Sequence, residues 1–260
     1  MSSIERTDGA AAGESPPPAI APTTSFTYEA RGRRWDAHRI VGGDAARILM
    51  FPDWEGCHTR EAVRLARDFA ATCRAEVLTT DLYGSGVVPD DFGDADRLIR
   101  SSLGDPVATR SLLGAMAEAL AEHWDAPEAM LVAVGFCFGG SLALELGRMP
   151  GRVRAAISIH GTPHSVAPIT RGATDTTFVM MQGAEDPLIP ETSIQAFVRE
   201  MRQAEANWSL HRIGGARHSF TRSDLGWSNH AMGYSRRAEV EARHVTAGLV
   251  GSLRDLSRGP

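Results

Sequence analysis

Gly135-Phe136-Cys137-Phe138-Gly139-Gly140 sets one cysteine among glycines, between the apolar run Val132-Ala133-Val134 and the helix-like run Ser141-Leu142-Ala143-Leu144. A strand that turns at once into a helix forces its corner residue into a strained backbone conformation. Side chains two positions to either side would collide, which glycine at 135 and 139 avoids, while Gly140 lets the helix approach the sheet. Cys137 would then project from the carboxyl edge of a sheet at a helix N-terminus, whose unpaired N–H groups favour a thiolate and can receive a developing oxyanion. The chemistry this suggests is nucleophilic attack on an acyl carbon. Taken alone, the hexapeptide fits an inert buried cysteine in a tight turn equally well. Partners must decide.

A thiol nucleophile needs a base, and the base needs an orienting acid. Asp186 lies in Gln182-Gly183-Ala184-Glu185-Asp186-Pro187, His218 in Gly214-Gly215-Ala216-Arg217-His218-Ser219-Phe220, and Glu55 in Pro52-Asp53-Trp54-Glu55-Gly56. Singly, Asp186 reads as a turn aspartate before proline and His218 as a surface-loop histidine. Jointly, these three and Cys137 each follow a separate predicted strand, so they should converge at one sheet edge. Their order, nucleophile then acid then histidine, is the one an α/β-hydrolase architecture requires.

The elements that must position them follow from apolar periodicity. Phe26 to Val41, turning at Arg31-Gly32-Arg33, reads as an antiparallel hairpin at a sheet edge. Arg47–Phe51, Ala75–Thr80, the run before Cys137, Val153–Ile159, Thr177–Met181 and Trp208–Ile213 read as strands of a mostly parallel sheet. Helices alternate with them: one capped by Thr59, one opened by Asp105-Pro106, one from about Glu191, and a last one presenting Val245, Leu249, Leu253 and Leu256. The stretch from Gly84 to about Gly104, rich in glycine, proline and aspartate, is expected to form part of a pocket wall. The fold class is therefore α/β, doubly wound, with ligands outside the carboxyl ends of the strands.

Composition narrows the function. The 260 residues suit one α/β domain from about residue 25 to 260, behind a flexible tail at residues 1–24 that includes Pro16-Pro17-Pro18. A net charge of −5 argues against nucleic acid or an anionic membrane as partner. No apolar run reaches the ~20 residues of a membrane span, and the N-terminus lacks the apolar core of a signal peptide. The chain contains no lysine, which excludes lysine-nucleophile chemistry. Three widely spaced cysteines indicate neither a disulfide framework nor a zinc motif, and a reducing cytoplasm is the expected location. Cys57 and Cys73 are expected to be filler and core. His58, His160 and His164 match no metal-ligand spacing, and no cofactor or metal is expected.

The motifs around Cys137, Asp186 and His218, with Asp81-Leu82-Tyr83 and Glu55, resemble the dienelactone hydrolase family from about Arg47 to Leu256. The resemblance implies an α/β-hydrolase fold and cleavage of a small lactone or ester, with Cys137 as nucleophile, His218 as base and Asp186 as its orienting acid. It further implies oxyanion donors at the N–H groups of Phe138 and Gly56, and a Glu55 that contacts the resting thiol. Family members clamp a substrate carboxylate between two arginines; Arg222 matches one, but Ser85 stands at the other, which favours a neutral or bulkier substrate. Trp54, Tyr83, Phe136, His160, His164 and Trp227 would complete the pocket. Two other outcomes share these residues: an acyltransferase or lactonising biosynthetic enzyme using the same acyl-cysteine, and a ligand-binding protein without turnover. A monomer or homodimer acting on a small molecule is expected.

Overall fold

The computed structural model of the chain describes residues 22–257, apart from 104, 126, 128, 164, 166 and 226–228. Most of the expected tail lies outside the described residues, and Thr24 already opens the first strand.

Strands β1 (Thr24–Ala30) and β2 (Arg33–Val41) form the antiparallel hairpin, turning through Arg31 and Gly32, both at positive φ. β2 runs antiparallel to β4 (Glu76–Thr80). From there β3 (Arg47–Phe51), β5 (Leu131–Phe136), β6 (Ala155–Ile159), β7 (Thr177–Gly183) and β8 (Asn207–Ile213) are parallel, in the spatial order β1-β2-β4-β3-β5-β6-β7-β8. Because β3 has β4 on one side and β5 on the other, the strand order reverses there. Ligands of doubly wound sheets bind in the crevice at such a reversal.

Alternation along each strand builds a core on both faces. Ile48 and Met50 of β3 join Val132 and Val134 of β5 on one face, against Leu65 and Phe69 of α1 (Arg60–Cys73) and Ala238 and Ala242 of α6 (Arg236–Ser257). Leu49, Phe51 and Ala133 turn to the other face. There they meet α3 (Pro106–Ala119), α4 (Phe138–Gly147) and α5 (Glu191–Gln203) through Leu113, Leu142 and Phe197. Burying each large apolar side chain stabilises by about 1.5–3 kcal/mol. The expected caps form: Thr59 Oγ1 accepts from Ala62 N–H at 3.0 Å, and the Asp105 carboxylate accepts from Val107 N–H at 2.8 Å ahead of Pro106.

The segment after Asp81 differs from expectation in form. It holds a helix, α2 (Phe92–Leu103), in which Asp91 Oδ1 accepts from Asp94 N–H at 2.8 Å. Turn-forming residues from Gly84 to Asp91 hide that helix in the sequence. None of the described helices is long and apolar enough to cross a membrane.

Candidate active site

Cys137 joins β5 to α4 with φ 51° and ψ −118°, a strained conformation for a side-chain-bearing residue. A Cβ on Gly135 would collide with the Gly139 carbonyl, and one on Gly139 with the carbonyls of Phe51 and Pro52. The glycines thus let the elbow close and let it press against the corner after β3. That brings Cys137 and residues 52–58 together at the reversal point of the sheet.

The sulfur of Cys137 lies 3.2 Å from His218 Nε2, and His218 Nδ1 lies 2.8 Å from Asp186 Oδ2. Asp186 sits just past β7 and is itself oriented: Gln182 Nε2 donates to Oδ2 at 2.7 Å and Leu188 N–H donates to Oδ1 at 2.8 Å. His218 follows β8 and is pinned through its backbone, its N–H donating to the Ala231 carbonyl and its own carbonyl accepting from Gly233 N–H. Burial opposes charge on the His218 ring. The charge interaction with Cys137 and the hydrogen bonds to Asp186 and Cys137 outweigh it and push the group up to about 10. The ring therefore holds its proton between sulfur and carboxylate.

His160, expected in the pocket, stands behind the elbow instead, wholly buried. Its Nδ1 accepts from the backbone N–H of Cys137 at 3.1 Å, so the neutral ring carries its hydrogen on Nε2, which lies 2.9 Å from Thr221 Oγ1. Burial, then repulsion from His218 with a smaller push from Arg222, holds His160 well below the ordinary histidine range. Two histidine rings 5.2 Å apart thus take opposite protonation states.

Arg222 does not face open space. Its guanidinium reaches Asp53 at 2.7 Å, Glu55 at 2.8 Å and Asp224 at 2.7 and 2.8 Å. Glu55, expected against the thiol, is held in this cluster, and burial raises its carboxyl above the ordinary range despite Arg222. Gly56 donates its N–H to the Asp53 carbonyl at 3.0 Å, inside the corner. Tyr83 donates its hydroxyl to the Trp54 carbonyl at 2.7 Å, and Ser85 Oγ donates to Asp36 at 2.7 Å. Phe136 packs edge-on against Phe69 in the core. His164 and Trp227 lie outside the described residues.

A cavity of about 340 Å³ opens over Cys137 and His218. Among the described residues, Trp54 is the one expected substrate-binding residue along its wall, and Phe138 lines it with the sulfur. The stretch from Gly84 to Gly104 walls the cavity as expected, through Phe92 and Ile99 of α2, but sequence reasoning named neither residue, nor Leu188 and Ile189 after Asp186, nor Met232. Phe92, Asp96 and Ile99 follow the i, i+4, i+7 spacing of one helix face, which is the signal that could have found them. Besides His218, the charged residue among the described lining is Asp96, paired with Arg100 at 2.8 Å. A larger depression of about 490 Å³ lies at the amino ends of the strands, between Arg47, Leu131 and Val153. It has no cysteine or histidine in its described lining and lies away from the elbow, so the smaller cavity is the site.

Comparison with known proteins agrees with this architecture. A family model described as dienelactone hydrolase family matches residues 40–250. A dienelactone hydrolase-like promiscuous phosphotriesterase from metagenomic libraries is 25% identical, with TM-score 0.77 over 91% of this chain and 99% of that one. A dienelactone hydrolase from Anabaena variabilis shares the fold at 14% identity, with TM-score 0.63 over 87% of this chain and 95% of that one. An uncharacterized protein of Caenorhabditis elegans is 32% identical over 119 residues, 45% of this chain and 75% of that protein. The chain has the α/β-hydrolase fold and belongs to the dienelactone hydrolase family.

Proposed function

We propose that the protein hydrolyses a small, uncharged ester or lactone through an acyl-Cys137 intermediate. The observation that carries this reading is the unbroken contact from sulfur to imidazole to carboxylate, 3.2 and 2.8 Å, at the floor of an apolar cavity. The Cys137 sulfur attacks the carbonyl carbon while His218, already holding the proton, stands ready to give it to the departing alkoxide. The same ring then takes a proton from water as hydroxide attacks the thioester, and keeps it as the sulfur departs, so the acid is released and the starting pair is restored. Asp186 keeps Nδ1 protonated and steadies the positive ring. The tetrahedral oxyanion would accept from Phe138 N–H at the start of α4. The Gly56 N–H, expected as the second donor, is committed to the Asp53 carbonyl and would have to turn from it to reach the oxyanion.

The substrate class rests on the state of Arg222. Three carboxylates occupy it and it is not among the described lining of the cavity, whose one cationic ring there, His218, is engaged by Asp186 and Cys137. A carboxylate-bearing substrate would enter an apolar space without a partner, which is costly. The test compares matched p-nitrophenyl esters, butyrate against hemisuccinate, by kcat/KM. A preference of roughly 100-fold or more for the neutral ester is expected, about 2.7 kcal/mol; equal rates would refute the assignment. A neutral phosphotriester is a second reading, favoured by the same largely apolar lining and by the phosphotriesterase activity named for the similar structure. Turnover of a phosphotriester with transient phosphorylation of Cys137 would support it.

A further inference from the structure

Outside the cleft, one cluster of ligating side chains has no part in this chemistry. His38 on β2, with Cys57 and His58 just past the corner, each bring a donor atom to within 4.8 Å of the other two. His38 is 8% exposed; its Nδ1 bonds Ser25 Oγ at 2.8 Å, and its Nε2 is buried with no hydrogen-bond partner. A buried ring nitrogen without a partner is uncommon in a folded protein and requires a cause. Cys57 is fully buried, its sulfur 3.9 Å from the Asp36 carbonyl, a weak contact. His58 is exposed on one side, and its Nε2 lies 3.1 Å from Asp36 Oδ2. The two imidazoles stand edge to face, 5.1 Å apart.

We propose that His38, Cys57 and His58 bind one thiophilic divalent cation of the zinc class, with water in the fourth position. One thiolate and two imidazoles are a donor set suited to zinc, and neither calcium nor magnesium favours it. The outer bonds from His38 to Ser25 and from His58 to Asp36 hold the rings as partners of metal-bound histidines do. They leave Nε2 of His38 and Nδ1 of His58 for the ion. At bond lengths of about 2.0–2.3 Å, ligand atoms of a tetrahedral zinc site stand roughly 3.5 Å apart, so the cluster must contract on binding. His58, partly exposed and in a loop, is the ligand free to move. As the sulfur–metal bond forms, the Cys57 thiol releases its proton to solvent; both imidazoles bind as neutral donors, and no electron changes hands. The ion would join β2 to the loop that carries Asp53, Trp54 and Glu55, bracing the cleft from behind. No linear motif announces the site, because His38 lies on β2 and Cys57 in the loop after β3.

Cys137 and His218 are themselves a thiol–imidazole pair, so the test uses the full chain with Cys137→Ala, stripped by a chelator. Calorimetric titration with Zn²⁺ should show one equivalent bound at micromolar Kd or tighter, and Co²⁺ should give a thiolate charge-transfer band. Cys57→Ser in that background should abolish the band and weaken Zn²⁺ binding by more than about 100-fold, since even outer partners of metal ligands contribute 10–100-fold. His58→Ala, at an exposed position where folding is not at stake, should weaken binding by at least about 10-fold. Absence of stoichiometric binding to the Cys137→Ala protein, or binding unchanged in either further variant, would overturn the proposal.

Discussion

Two charged assemblies adjoin the elbow, one lining the cavity and one outside its described lining, and they are built on opposite principles. On the side of β7 and β8, one carboxylate, Asp186, serves one histidine, and the second ring nitrogen of His218 is left to the sulfur at 3.2 Å. On the side of β3, three carboxylates share one arginine, and each terminal nitrogen of Arg222, with its Nε, is engaged. The first arrangement has a proton with somewhere to go. The second is closed, so its charge anchors the loop after His218 to the corner after β3 and offers nothing to a ligand. Having the right residue type near a nucleophile is therefore a poor guide to its role; what counts is how many of its donors or acceptors remain uncommitted.

The largest effect should come from breaking the open side. Cys137→Ala is expected to lower kcat on an activated neutral ester by about 10⁴-fold or more, and Asp186→Asn, which keeps the shape but favours the wrong tautomer, by about 10³–10⁴-fold. Thermal unfolding of Cys137→Ala should remain close to wild type. Breaking the closed side should reverse that pattern. Arg222→Gln leaves Asp53, Glu55 and Asp224 facing one another in a mostly buried site, and a loss of about 3–5 kcal/mol in unfolding free energy is expected from denaturant titration. A stable Arg222→Gln protein that selectively lost activity on anionic esters would show that the arginine belongs to the substrate after all.

A smaller effect concerns pH. His218 is raised from the ordinary 6.5 to about 10, so folding takes up a proton on this ring. Its contribution to stability is complete below about pH 6.5, declines as pH rises toward 10, and is absent above that. Unfolding free energy measured across this window should fall with pH in the wild type. It should fall less in Cys137→Ala, where the ring has lost its contact with the sulfur; equal slopes would contradict that contact as a cause of the raised histidine.

How much of this was legible in the sequence depends on range. The elbow was, because its glycines are local requirements of one turn, and so were the strands and the placement of Asp186 and His218 at strand ends. Helix α2 was not: it follows a turn-rich segment, and Phe92 and Ile99 on one of its faces look into the cavity. The partners of Arg222 were not, since Asp53 lies 169 positions away and nothing local marks it. His160 was placed in the pocket by its proximity to a strand end, whereas the register of β6 turns its ring beneath the elbow, onto the backbone of Cys137.

The account turns on a covalent bond to one sulfur. Rapid quenching of the wild-type protein during turnover of an activated neutral ester, followed by peptide mass spectrometry, reads that bond directly. One acyl group per chain on the peptide containing Cys137, absent from the Cys137→Ala protein, is the predicted result. Undiminished turnover with Cys137 unmodified, or an acyl group carried by another residue, would contradict it.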